Sequence, residues 1–186
     1  MGWAARRLLG YRGVGFPSHV RYVTLTGPLP FEARSVHAVY LSHVLEHLHL
    51  DEGCRLLREC HRILVDGGLV RIVVPDTEHI LREYQSSTSN RDGGACVALN
   101  ERLGFRPLSR PAALLQRAYV ALTDFHAHKF MYDRYFLRQC LEQAGFVGIE
   151  EAQFAQSRIP EIADVELETR IGHGYGFGFE AVRRST

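Results

Sequence analysis

Ser35–Pro75 reads SVHAVYLSHVLEHLHLDEGCRLLRECHRILVDGGLVRIVVP, and this stretch decides the fold. Its first eight residues, Ser35 to Ser42, form a compact apolar run that predicts a buried strand. Asp51 and Glu52 suit the start of a helix, where a carboxylate meets free amide groups and the positive end of the dipole. Leu56, Leu57, Cys60, Ile63 and Leu64 then recur at helical spacing, with Arg55, Arg58, Glu59 and Arg62 outside the stripe. Asp66-Gly67-Gly68 stops that helix. Leu69 to Pro75 is almost continuously apolar, the pattern of a strand covered on both faces. Strand, helix, turn and strand make a βαβ unit, whose crossover calls for parallel pairing at the centre of the sheet.

Working outward, Ser18 to Leu25 alternates as a short strand and ends in Thr-Gly-Pro-Leu-Pro-Phe, which forbids further ladder pairing. Downstream, a helix is expected from Thr77 to Tyr84, then a polar loop from Gln85 to Gly94. Residues 85–130 read as a helical insertion or cap, broken by Pro107 and Pro111. Tyr132 to Ala144 is an amphipathic helix with Gly145 as its left-handed stop and Asp133 as a cap. Phe146–Ala152 and Tyr175–Val182 are two late strands. In the second, glycines alternate with rings from Gly172 to Phe179, which leaves one face bare for close packing of another backbone.

The 186 residues fit a single domain, 1–186, and 46% hydrophobic with 23% charged residues excludes a disordered or fibrous chain. A formal net charge of +1 asks for neither nucleic acid nor an acidic membrane as partner. No apolar run approaches a membrane span and the first ten residues lack a signal-peptide core, so a cytoplasmic location is expected. Four cysteines without a CxxC pair read as reduced thiols.

Pro28-Leu-Pro-Phe31, the run from Ser35 through Ser42-His-Val-Leu-Glu-His47, and Asp66-Gly-Gly followed by Pro75-Asp76 resemble S-adenosylmethionine-dependent methyltransferases. The later His128-Lys-Phe-Met-Tyr-Asp133 and Leu141-Glu-Gln-Ala-Gly-Phe146 are similar to the same branch. The resemblance implies an α/β, Rossmann-like methyltransferase fold, mostly parallel at its centre with a late antiparallel strand pair. It implies S-adenosylmethionine across the carboxyl ends of the strands. Thr24, Leu29, Pro30, Phe31, Ser42 and His43 would take the cofactor, and Glu46, Asp76, His126, His128, Lys129 and Tyr132 a small-molecule substrate. Such relatives begin with a strand and a Gly-rich turn that has no counterpart here, and Thr24 stands where they carry an acidic residue. The expectation is therefore a shortened sheet missing its first strand or strands, with an unpaired edge covered by a second copy or a partner subunit.

Methyl transfer needs alignment and often loss of a proton, which histidine accepts near neutrality. His43 and His47 are the catalytic candidates: four apart, they share a face if helical. Together they could act on one substrate or hold one metal, but the spacing offers no third ligand, so no metal is expected. The cluster Asp124, His126, His128, Lys129 and Tyr132 reads either as a solvated lead-in to the following helix or as a substrate lid. Two functions stand against each other: a small-molecule methyltransferase, and a protein of that fold that no longer uses the methyl donor.

Overall fold

The computed structural model describes residues 21–88, 94–104, 127–172 and 174–184. The deciding stretch forms the expected unit. Strand β1 (Val36–Ser42) is followed by a single 3-10 turn at Leu45–His47, helix α1 (Leu50–Ile63) and strand β2 (Leu64–Pro75), which pairs parallel to β1. Helix α1 starts at His49 rather than Asp51: the His49 N–H donates to the Glu52 carboxylate at 3.0 Å, while Asp51 pairs with Arg55 one turn on at 2.9 Å. At the other end α1 passes directly into β2. The register jumps from Val36 opposite Leu64 to Ala38 opposite Leu69, and Gly67 takes up the bulge at φ 77°.

Then come α2 (Thr77–Thr88), α3 (Gly94–Arg102), α4 (Arg134–Gln143), β3 (Phe146–Glu151), the short α5 (Ile162–Val165), a 3-10 turn at Glu168–Arg170, and β4 (Gly176–Arg183). Asp133 caps α4, accepting from the Phe136 N–H at 2.7 Å, and Gly145 follows the helix at φ 98°. The strand order is β1-β2-β4-β3. Here the structure corrects the sequence reading. The sheet is mixed rather than mostly parallel, because β4 returns between β2 and β3 and pairs antiparallel with both. Arg21–Leu25 is irregular, not a strand; Val23 and Leu25 instead pack against the core. Residues 18–20 and 105–126 lie outside the described residues. Among the described residues no strand pairs with the outer edge of β1, and no helix is long and apolar enough to cross a membrane.

The two faces of the sheet are covered differently. Leu41, Val70, Ile72, Val74, Phe177, Phe179 and Ala181 face the buried stripes of α1 (Leu56, Leu57, Cys60, Ile63) and α4 (Leu137, Cys140, Leu141). The opposite face of β2 and β4 carries Arg71 and Glu180, and the segment 153–170 lies over them. The Gly-ring alternation resolves accordingly. Phe177 and Phe179 meet edge to face in the core at 6.1 Å, and the glycines between them leave room for backbone: a Cβ on Gly178 would collide with the Ile72 carbonyl. Gly178→Ala is expected to lower the unfolding free energy by about 1–3 kcal/mol, read by urea denaturation. An unchanged midpoint would show that β2 and β4 do not need the bare backbone.

Candidate active site

Residues of β1 alternate across the sheet, so Tyr40 and Ser42 point away from the helices. His43 continues the ladder, its N–H donating to the Val73 carbonyl at 2.9 Å, but its backbone is left-handed at φ 52°. A non-glycine residue in that region marks a constrained turn. The ring of His43 is held at both nitrogens. Nδ1 lies 3.1 Å from Glu46 Oε1, and Nε2 lies 3.0 Å from the Arg170 carbonyl oxygen. Two acceptors favour the doubly protonated ring. Burial by itself would lower its pKa, but Glu46 and the Arg170 carbonyl outweigh burial and raise it above the ordinary histidine value. The Arg170 carbonyl reaches His43 past Gly176, where a Cβ would collide with it.

Glu46 is fully buried, and among the described residues neither carboxylate oxygen has an aligned hydrogen-bond donor. Nδ1 of His47 and Nδ1 of His128 are likewise buried without a partner. The three side chains are neighbours: one ligand-type atom from each lies within 4.8 Å of the others, and the two rings meet edge to face at 5.0 Å. His128 comes from 81 residues further along the chain than His47 and is placed by backbone bonds. The Glu46 carbonyl accepts from the N–H groups of Lys129 at 2.6 Å and Phe130 at 3.3 Å. Burial lowers the pKa of His128 and favours its neutral ring, with the Glu46 carboxylate pulling less strongly the other way.

These groups line a cavity of about 450 Å³. Tyr40 and Ser42 form its floor, His43, Glu46, His47 and His128 one wall, and Val165, Leu167 and Arg170 its roof. The roof is fastened by Arg71, whose side chain has no exposed surface. Its guanidinium donates to both oxygens of the equally buried Glu166 at 2.8 Å, to the carbonyls of Gln153 and Gln156 at 2.7 and 3.0 Å, and to Glu180 at 3.5 Å. Sequence reasoning did not single out this pair. The available signal was an arginine inside a doubly covered apolar strand, where a charge needs a buried partner.

Of the proposed site residues, Ser42, His43, Glu46, His47 and His128 come together. Several others do not. Leu29, Pro30 and Phe31 are fastened to the far end of α1: the Leu29 N–H donates to Glu59 at 2.9 Å, and Arg62 donates to the Leu29 and Phe31 carbonyls at 3.1 and 3.0 Å. That end adjoins the start of β1, where the Ser35 N–H meets the Ile63 carbonyl, roughly 20 Å of strand from Ser42. Thr24 is exposed in the irregular segment before them. The tips of β1 and β2 do share one end, with Ser42 opposite Val73, but Pro75 and Asp76 are closed off there. Asp76 accepts from the His79 N–H at 2.9 Å as the cap of α2 and pairs with Arg134 at 3.0 Å. Tyr132 is 1% exposed and packs between Phe130 and Phe136 in the core. Lys129 is exposed and does not line the cavity. His126 and Asp124 lie outside the described residues.

Residues 4–72 match the family model described as "Methyltransferase domain". The match takes in β1, α1 and most of β2, the βαβ unit that carries the candidate site. No curated protein matches the chain. Among solved structures, similarity extends to a methyltransferase of Thermotoga maritima described as a "possible histamine N-methyltransferase", at 16% identity over 84% of this chain and 59% of that one, with a TM-score of 0.45. A methyltransferase of Archaeoglobus fulgidus aligns at 15% identity over 82% and 61%, TM-score 0.42. A phosphoethanolamine N-methyltransferase of Haemonchus contortus aligns at 13% over 84% and 35%, TM-score 0.42. The chain thus spans about six-tenths of the length of the first two, 59% and 61%.

Two outcomes follow from this geometry. Arg71→Met strands Glu166 without a counter-charge under the roof, and is expected to cost about 3–5 kcal/mol in denaturant unfolding; a loss below 1 kcal/mol would show the roof is held otherwise. At Asp76, burial raises the carboxyl pKa, but Arg134 and the His79 N–H outweigh it and hold it below the ordinary value. A depressed native pKa stabilises the fold above the unfolded value near 4 and loses that contribution as pH falls through the native one. Asp76→Asn is therefore expected to lower stability by about 1–3 kcal/mol at pH 7. The gap between variant and parent should close in thermal melts taken below pH 4, and a gap that stays constant would remove Asp76 from the account.

Proposed function

We propose that this chain contributes the acceptor-binding side of an S-adenosylmethionine-dependent methyltransferase that acts on a small molecule. The observation that carries the reading is the cavity at the carboxyl end of β1, into which buried Glu46 and the unpartnered ring nitrogens of His47 and His128 converge. Its size is that of a small-ligand site. The wall is polar, while Val165 and Leu167 on the roof are 62% and 59% exposed and offer an apolar rim. An acceptor with one polar, proton-bearing group and an apolar body suits that division.

Ser42 and His43 at the β1 tip are the residues that would hold the cofactor, which supplies the methyl group when bound. Leu29–Phe31 lie too far away to contribute. His43, engaged at both nitrogens, positions Glu46 and keeps the β1 turn in place. Deprotonating the acceptor falls to the group formed by Glu46, His47 and His128, and His47 is the catalytic candidate of the original pair that retains an unpartnered nitrogen. The outer edge of β1, unpaired among the described residues, supports in the same reading a second copy or partner subunit along that edge.

One observation favours the rival, a methyltransferase-fold protein that does not use the donor: residues 1–34, ahead of β1, contain no glycines in the GxGxG spacing, and the glycine alternation from Gly172 to Gly178 leads into β4 instead. Calorimetric titration of the chain with S-adenosylmethionine and its demethylated product separates the two. A dissociation constant in the micromolar range is expected. Absence of heat at millimolar ligand would reject the donor-dependent reading and leave the rival.

A further inference from the structure

The geometry points to a divalent metal site formed by Glu46, His47 and His128, of the kind that takes Zn²⁺ or a similar transition-metal ion and keeps coordination positions open to the cavity. Four features converge on it. The Glu46 carboxyl has no exposed surface and, among the described residues, no aligned donor, so it is a buried acidic group with incomplete compensation. The two imidazoles beside it each leave Nδ1 unpartnered in a buried setting. One ligand-type atom from each residue lies within 4.8 Å of the others. Tetrahedral ligands about 2.0–2.2 Å from Zn²⁺ stand about 3.4 Å apart, so side-chain adjustments on the order of 1 Å close the set.

The donor chemistry selects the ion. Two imidazoles and one carboxylate suit zinc and its neighbours, whereas magnesium and calcium prefer all-oxygen sites. Three protein ligands facing a cavity, rather than four closing around the ion, are the arrangement of a site that accepts an outside ligand. The class of ligand is an oxygen donor, such as the hydroxyl or carboxylate of a bound small molecule. A supporting contact is already present: His43 Nδ1 sits 3.1 Å from Glu46 Oε1, leaving the other carboxylate oxygen for the ion. Glu46 and His47 are sequence neighbours within one tight turn, and the longer carboxylate arm lets both reach the same point.

Ion binding itself does not depend on the proposed methyl transfer; the small-molecule acceptor as outside ligand rests on that reading. The test uses the whole chain, stripped with chelator and titrated with Zn²⁺ by calorimetry and with Co²⁺ by visible absorption. The expected result is one equivalent bound, with Co²⁺ bands of a low-symmetry site. His128→Ala should weaken Zn²⁺ by more than about a hundredfold and abolish the bands, and His43→Gln should weaken it by about tenfold. His37→Gln, on the exposed side of β1, should change nothing. Should Glu46→Gln fail to fold, His128→Ala decides alone, because His128 lies on the loop before α4 and is only half-buried. No stoichiometric binding up to millimolar Zn²⁺, or binding indifferent to His128→Ala, overturns the site and leaves His43 as the sole compensation for Glu46. Donor binding without Zn²⁺ binding defeats this inference alone; Zn²⁺ binding without donor binding defeats only the methyltransferase reading.

Discussion

Arg71 rises from β2, the strand between β1 and β4, on the face the helices do not cover, and its planar fork meets a segment that has little regular structure of its own. All five of its N–H donors are used, on the two oxygens of Glu166, on Glu180 and on two backbone carbonyls. Taking both charges out of water is costly, and an apolar pair of similar volume could be as stable. What the ion pair adds is position. Glu166 lies between Val165 and Leu167, so fixing its carboxylate fixes the roof of the cavity and brings the Arg170 carbonyl to His43. The cavity exists because a loop is anchored through its backbone and one buried charge to the rigid centre of the sheet.

Against that fully compensated carboxylate, Glu46 stands out. Both are buried, yet Glu166 accepts two charge-assisted bonds in good alignment while Glu46 has only the ring of His43 at one oxygen and the edges of two further imidazoles nearby. A structural carboxylate is surrounded by donors; one left short of them is a place where local consistency has been given up for another purpose. The left-handed backbone at His43 belongs to the same locality. Strain and unsatisfied polarity therefore coincide at the β1 turn, whereas the polar groups of the Arg71 network behind it are partnered.

Much of the framework was legible because the relevant periodicities are local. The apolar runs of β1 and β2, the stripe of α1, the Asp133 cap and the Gly145 stop all follow from neighbours a few residues apart. So did the Gly-ring alternation, whose bare face meets the backbone of β2 at Ile72. The sheet order was not legible: whether β4 joins an edge or inserts beside β2 depends on contacts between residues more than 100 positions apart. The site was legible where it is contiguous and, through the family resemblance, at His128. Ser42, His43, Glu46 and His47 follow one another around a single turn, whereas the Leu29–Phe31 motif reads as close to them although it sits at the opposite end of the strand. A linear motif states which residues belong to an element, not which end of it they reach. Tyr132 and Asp76 misled for a related reason, since ring and carboxylate were needed for the core and for the cap of α2.

By itself the sequence determined that a βαβ unit would form and that a histidine-rich segment would follow its first strand, because burying an apolar stripe allows few alternatives. Only the tertiary structure decided that His128, brought in by backbone bonds to Glu46, would share a cavity with that turn, and that a roof tied to Arg71 would close over it. The physical reason is that periodicity encodes which face of an element is buried, while the convergence of charges and lone pairs depends on how distant segments are hydrogen-bonded to a common sheet.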